Sequence, residues 1–432
     1  MLRACFARIG GREVVRCDPL AICAGSYYDM FFDSSAVCNQ RRGYSFEFQV
    51  IHQSSKSNAR VGRIVTSHGH VDTPGYVAVA TNGALKCVEF SKADEEGLQL
   101  AFCNTYHLML HPGVDAVERA GGLHTFIGRT DRPLITDSGG FQIFSLAYGG
   151  VHEEIHSLKR QGKSKLRSGN KVVSVGDDGV VFKSYWDGTQ MLLSPESSVR
   201  AQKILGADII LPLDELPPYH VRSREELAAS VERSHQWERQ SLEEHLRDPR
   251  GQAMYGIVHG GMDKDLRSES VRFVAGFSDF RGFAIGGSLG KNREELVHIM
   301  THVMQDISTY SSHDNHRPSH VLGIADPISI PRLVGLGCDT FDSCWPTRVA
   351  RHGCMITADG PLKVRSGKFK NAHRPPVEDC CCSTCKRYTL SYLHHLVKAS
   401  EPLACSLLSL HNISYMCAMM ARIRNSILMD QI

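Results

Sequence analysis

Short apolar runs recur along the chain, and each stops at a polar residue or a glycine. GYVAVA (75–80) is the first. LQLAFCN then ends at Asn104, PLITD at Asp137, ADIILPLD at Asp214 and AMYGIVH at His259. FRGFAIGG ends at Gly286 and Gly287, SHVLG at Gly323, and CDTFD at Asp342. Strands buried on both faces read as unbroken apolar runs of this kind. Between them, residues 222–246, 292–309 and 387–400 place charged and apolar positions at helical spacing. Eight such runs alternating with helices predict an α/β fold, a TIM-type (β/α)8 barrel whose polar strand ends gather at one mouth. The barrel is expected to span 46–369 and 412–432, with FEFQV at 46–50 and the paired segment ARVGRIVTSHGHVDTP leading into it.

Composition narrows this only slightly. The 432 residues fit one barrel with insertions, and 42% hydrophobic content supplies a large core. Net charge is +3, so a polyanionic partner has to be argued from local patches. The apolar runs fall short of a bilayer-crossing stretch, which predicts no membrane span. Fifteen cysteines in an enzyme-sized chain favour metal binding and free thiols over a disulfide framework. Residues 1–45 read as an extension: Arg3, Arg8, Arg12 and Arg16 have only Glu13 among them as an acid. A mitochondrial targeting peptide and a disordered, lineage-specific tail are both open there, which leaves a cytoplasmic or mitochondria-associated location. A basic insertion at about 157–175 carries Lys159, Arg160, Lys163, Lys165, Arg167 and Lys171 without an acid. It is either a phosphate-attracting loop or a solvated one.

Residues 370–411 predict an inserted zinc-binding subdomain near the C-terminus. Cys380, Cys382 and Cys385 form a tight knuckle, and His411 follows. Three thiolates and an imidazole fill the four corners of a tetrahedral zinc site and leave no open position, so the Zn2+ would be structural. Cys381 could replace Cys380, and His394 or His395 could replace His411.

Three of the strand ends are aspartates. A lone aspartate there often caps the next helix, but each of these has a distinctive setting: Asp137 in TDSGGFQ, Asp214 in LPLDELPP, Asp342 in TFDSCWPTR. Paired carboxylates suit reactions with an oxocarbenium-like transition state, one attacking the anomeric carbon and the other moving protons. The residues by themselves thus point to glycosyl transfer or hydrolysis with retention. DSGG at 137–140 resembles a serine-protease nucleophile motif, but the α/β pattern does not fit that fold.

Taken in order, TSHGHVDTP, NTYHLMLHPG, AGGLH, LITDSGGFQIFSL, LLSPESSVRAQKILGADI, YGIVHGG, FAIGG, FDSCWPTR, the cysteine knuckle and YLHHL…E…LSLHNISY resemble the tRNA-guanine transglycosylase family. The resemblance runs from about Phe46 to the C-terminus. It implies exchange of the wobble guanine in a tRNA anticodon loop for a 7-deazaguanine base. By the same resemblance Asp342 is the nucleophile, Asp137 the general acid/base, and Asp214, His259 and Gly287 contact the base. Phe141 and Leu322 would sandwich the base, and Arg348 and Arg351 would contact RNA. It also implies Cys380, Cys382, Cys385 and His411 as zinc ligands. The sequence departs from the family pattern at His259 (usually glutamine), Ser343 (usually cysteine) and Lys291 (commonly glutamate). Leu216 and Gly290 resemble eukaryotic members, and Gly290 is expected to make room for queuine. A eukaryotic catalytic subunit, dimeric with a paralogous accessory subunit, is the expectation that follows. The alternatives are a non-catalytic tRNA-binding subunit and a retaining glycosidase.

Overall fold

Eight parallel strands pair in chain order and close on themselves: β1 (Gly75–Val79), β2 (Leu100–Cys103), β3 (Leu134–Thr136), β4 (Ile209–Ile210), β5 (Ala253–Val258), β6 (Gly282–Ile285), β7 (Ser319–Val321) and β8 (Thr340–Ser343). This is a computed structural model, and it describes residues 6–9, 12–15, 46–148, 172–216, 223–310 and 316–432. The closing pair is β8 on β1, with Asp342 opposite Val77. Every one of the eight apolar runs supplies a strand. The fourth is the shortest, because Pro212 cannot donate to a ladder and ends the pairing after Ile210.

Side chains alternate across each strand. Val77, Leu100, Phe102, Ile135, Ile209, Tyr255, Ile257 and Ala284 fill the barrel interior. Ala78, Ala101, Leu134, Ile210, Met254, Phe283 and Ile285 pack outward against the helices. Both faces are buried, which is why the runs look continuous in sequence. An antiparallel sheet of Glu47–Gln53, Arg60–Thr66 and Gly69–Thr73 brings Phe46, Ile64 and Val71 into the same interior cluster. It is tied on by Arg60, whose Nη2 lies 2.7 Å from Asp339 Oδ2. That oxygen also accepts the N–H of Ser319, at 2.7 Å. The strands therefore start from a fixed base, and their C-terminal ends are left for chemistry.

The outer helices that matter for the site are α1 (Pro195–Leu205), α2 (Arg224–Arg247), α3 (Lys264–Ala275), α4 (Arg293–Tyr310) and α5 (Trp345–Arg351). Three more follow: α6 (Ser383–Arg387), α7 (Leu390–Ala399) and α8 (Pro402–Leu428). The helices expected over 222–246 and 292–309 are α2 and α4. The segment 387–400 is shorter than expected, because Tyr388 and Thr389 are extended and Thr389 caps α7 by accepting the Tyr392 N–H. Helix α8 corrects a further expectation: by length and composition it is apolar enough to cross a membrane. Its apolar side chains Leu408, Ile413, Met416, Met420 and Ile427 are instead packed inside the protein, as in a core helix. The subdomain limit expected after 411 falls inside this helix. Of the basic insertion, 157–171 lie outside the described residues. Val172–Gly176 opens an antiparallel sheet with Gly179–Lys183 and Gln190–Leu193.

Candidate active site

Asp137, Asp214 and Asp342 all stand at the C-terminal ends of barrel strands, just after β3, beyond β4 and in β8. The barrel thus brings residues separated by more than 200 positions to one mouth, where such folds carry their chemistry.

Asp342 is buried, 7% exposed. Its Oδ1 accepts the N–H of Gly323 at 2.9 Å, which fixes the carboxylate against the end of β7. His320 Nε2 lies 3.2 Å from the same oxygen, off the hydrogen-bonding direction, while His320 Nδ1 is 2.9 Å from Thr340 Oγ1. Asp342 does not cap α5. The turn after the strand is held by Ser343, whose hydroxyl accepts the Trp345 N–H at 3.1 Å. The serine that departs from the family pattern thus has a structural task.

Asp137 is held by three donors. Asn104 Nδ2 and Gln142 Nε2 each lie 2.7 Å from Oδ2, and the Thr105 N–H reaches Oδ1 at 2.8 Å. Burial raises the carboxyl pKa; the three hydrogen bonds pull it back, and the charge of Asp342 pushes it up again, for a net rise. The glycines of TDSGG allow this geometry. A β-carbon at Gly140 would sit 2.9 Å from Leu213 and 3.0 Å from the Asp214 carbonyl. Ser138 Oγ accepts the Gly140 N–H, a turn contact and not a protease arrangement.

Asp214 follows the broken end of β4. Neighbouring backbone there is pinned by serines of α2, Ser241 Oγ to the Leu213 N–H and Ser234 Oγ to the Glu215 N–H. Burial pushes the Asp214 pKa up to about 6. His259 is buried at the end of β5, and burial pulls its pKa down to about 4. A neutral imidazole is the result at ordinary pH.

The walls are bound together by Arg267 of α3, fully buried. It donates to the carbonyls of Val258, Gly261, Gly286 and Ser288 at 2.7–2.9 Å. Burial lowers its pKa to about 9, so it stays charged at neutral pH. Gly287 is in the left-handed region (φ +73°) beside this arginine. Phe141, 48% exposed, projects from the helix Gly140–Tyr148, and half-buried Leu322 follows β7. Arg348 is exposed on α5 and Arg351 half-buried at its end.

Gly290 has a packing role in the turn before α4. It has φ +100°, and a β-carbon there would lie 2.6 Å from Glu295 Cβ. Its missing side chain makes room for α4, a packing role separate from the expected widening of the base pocket. Lys291 donates its N–H to Glu295 Oε2 at 2.8 Å, closing the same turn.

The metal-binding alternatives also resolve. His411 Nδ1 lies 3.6 Å from Cys380 Sγ and 3.4 Å from Cys382 and Cys385 Sγ. A tetrahedral zinc with Zn–S of about 2.3 Å and Zn–N of about 2.0 Å requires N···S of about 3.5 Å. His411 Nε2 is 2.9 Å from the Ile356 carbonyl, which sets the tautomer and frees Nδ1. These four residues could hold a metal ion. Cys381 is exposed and outside the cluster; His394 Nδ1 is engaged by the Val364 carbonyl at 2.8 Å.

Asn104 was legible as a strand end but not as a carboxylate partner, and Gln142, His320, Glu238 and Arg267 gave no sequence signal. All but Gln142, five positions from Asp137, act through contacts between segments far apart in the chain. Comparison with known proteins identifies the family. The family model described as "Queuine tRNA-ribosyltransferase" matches residues 54–432. Proteins named queuine tRNA-ribosyltransferase from Chlamydia abortus and Protochlamydia amoebophila are 51% and 49% identical, over 90% of this chain and 100% and 96% of their own lengths. The Chlamydia trachomatis relative is 50% identical over 90% of this chain and all of its own. These relatives are bacterial, so the eukaryotic assignment, and the paralogous partner subunit that follows from it, draw no support from them. With the ring of carboxylates, the closed barrel and matches spanning nine-tenths of its length, the chain belongs to the queuine tRNA-ribosyltransferase family.

Proposed function

We propose that this chain is a tRNA-guanine transglycosylase that works by double displacement, with Asp342 as nucleophile. The observation that carries this is the placement of Asp342: its carboxylate is held by a backbone N–H on one oxygen, leaving Oδ2 for attack. Oδ2 would bond to the ribose anomeric carbon of the wobble nucleoside as the bond to guanine N9 breaks. The ribosyl ester waits while guanine leaves, and the incoming base then displaces Asp342 from the same carbon, restoring configuration. Asp137, with its raised pKa, moves the proton that the leaving and entering bases exchange.

Asp214 accepts from the N1–H and amino group of the base as an ionised carboxylate. Phe141 and Leu322 cover the base faces, and Gly287 offers its backbone. Arg348 and Arg351 contact the anticodon loop, whose single-stranded bases can be splayed out and read. The incoming base is a 7-deazaguanine; queuine is the one in the relatives' names. The Cys380, Cys382, Cys385 and His411 set holds a structural zinc, with no position open for catalysis. The test is exchange of radiolabelled guanine into or out of tRNA by the purified chain. Exchange is expected. Its absence, with intact tRNA binding, would make the chain a binding subunit; hydrolysis of an aryl glycoside in its place would make it a glycosidase.

A further inference from the structure

Glu238 lies on α2, outside the barrel, yet its side chain is fully buried and enters the wall of the site from behind. Its Oε1 is 2.8 Å from His259 Nε2, and its Oε2 accepts the Ile257 N–H at 3.2 Å. Neither contact is with an arginine or lysine. Arg267, the nearby cation, is committed to four carbonyls. The His259 backbone is separately fixed, its N–H donated to Ser270 Oγ at 2.9 Å. With Nε2 taken, Nδ1 is the ring nitrogen left for a ligand. Among the described residues it has no hydrogen-bond partner.

We propose that Glu238 is a positioning residue that sets the tautomer of His259, so that Nδ1–H faces the base as a donor and reads its 6-oxo group. Glu238 Oε2 is already an acceptor. A carboxylic acid with its proton on Oε1 donates to Nε2, and the ring proton must then be on Nδ1. Burial pushes Glu238 well above the usual carboxylate range and His259 down to about 4, the directions that a neutral acid–imidazole pair requires. The charged or titratable groups around the ring are Asp214 and Glu215, which raise its pKa, Arg267, which lowers it, and Glu238 and His235 of α2. Asp214 accepts along the N1 and 2-amino edge; the next group around a guanine-type base is the acceptor O6. An adjacent acceptor and donor match that edge and exclude a 6-amino purine.

This rests on the transglycosylase reading, and its test separates the two. Glu238→Leu leaves Nε2 without its partner and the tautomer unfixed. It should raise the KM for guanine roughly tenfold with little change in the KM for tRNA. Glu238→Gln can accept from Ile257 and donate its amide N–H to Nε2, so it should rescue most of that loss. In protein carrying 15N-histidine, the His259 resonances, assigned by their loss in His259→Gln, should show a protonated Nδ1 and a bare Nε2. If the wild type exchanges guanine but Glu238→Gln is no better than Glu238→Leu, or Nε2 carries the proton, Glu238 does not set the donor. A wild type without exchange would overturn the underlying reading instead.

Discussion

Asp342 and Gly323 meet at the barrel mouth, the glycine N–H 2.9 Å from Asp342 Oδ1. The strand that carries Asp342 is thereby locked to the loop after its neighbour. One oxygen is oriented and the other is free. Asp342→Asn should abolish the covalent tRNA adduct on denaturing gels and leave the fold unchanged by circular dichroism. An adduct that persists in this variant would place the nucleophile elsewhere.

In the proposed mechanism Asp214 accepts from the base as an ionised carboxylate, and its free-enzyme pKa stands at about 6. Base binding therefore favours the deprotonated form and weakens as pH falls through that value. The KM for guanine should be flat from pH 7 to 8 and rise about tenfold per unit well below pH 6. Asp214→Asn should bind guanine weakly with little pH dependence. A wild-type KM that is level down to pH 5 would remove the carboxylate from base recognition.

Gly290→Val places a branched side chain at φ +100° and against Glu295. It should destabilise the protein by about 1–3 kcal/mol and impair exchange of small and large bases alike. Thermal unfolding and parallel assays with guanine and queuine check this. A selective loss of queuine use would favour the pocket-size explanation instead.

Near the starts of β3 and β4, Asp208 binds two stacked histidines: His68 Nδ1 at 2.8 Å from Oδ1, His124 Nε2 at 3.1 Å from Oδ2. Burial alone would raise the Asp208 pKa, but bonds from His124 and His68 hold it well below the usual range. The bond to Asp208 raises that of His68. The carboxylate's contribution is present above about pH 4 and lost as pH falls through its lowered folded value. The His68 contribution is full below about pH 6.5 and lost as pH rises through its raised one. Asp208→Asn should cost on the order of 3 kcal/mol, with the largest difference from wild type between those limits. Denaturant unfolding at pH 5 and pH 9 tests it; an equal difference at both would deny His68 its part.

His411→Ala or Cys385→Ala should lose the bound zinc and lower the unfolding temperature, while Cys381→Ala keeps both. Metal content by mass spectrometry, with thermal unfolding, separates these. Zinc retained in His411→Ala would return His394 or His395 to the ligand set.

Alternation of apolar runs and helices determined the barrel, because strands buried on both faces are built mainly from apolar residues. The same rule marked Asp137, Asp214 and Asp342, since a carboxylate at the end of a buried strand needs a reason to be there. The cysteine knuckle was legible for its spacing, but which cysteines face His411 depended on how α6 and α8 pack. Tertiary structure alone decided the rest. Asn104 reaches Asp137 from the end of β2, Arg267 ties two strand ends, and Glu238 reaches His259 from a helix twenty-one positions earlier in the chain. Local sequence could not announce these contacts, because hydrogen bonds between distant elements follow the closure of the barrel and not any period along the chain. Gly290 shows the same limit from the other side: its glycine was visible, but only the packing of Glu295 revealed what the missing side chain avoids.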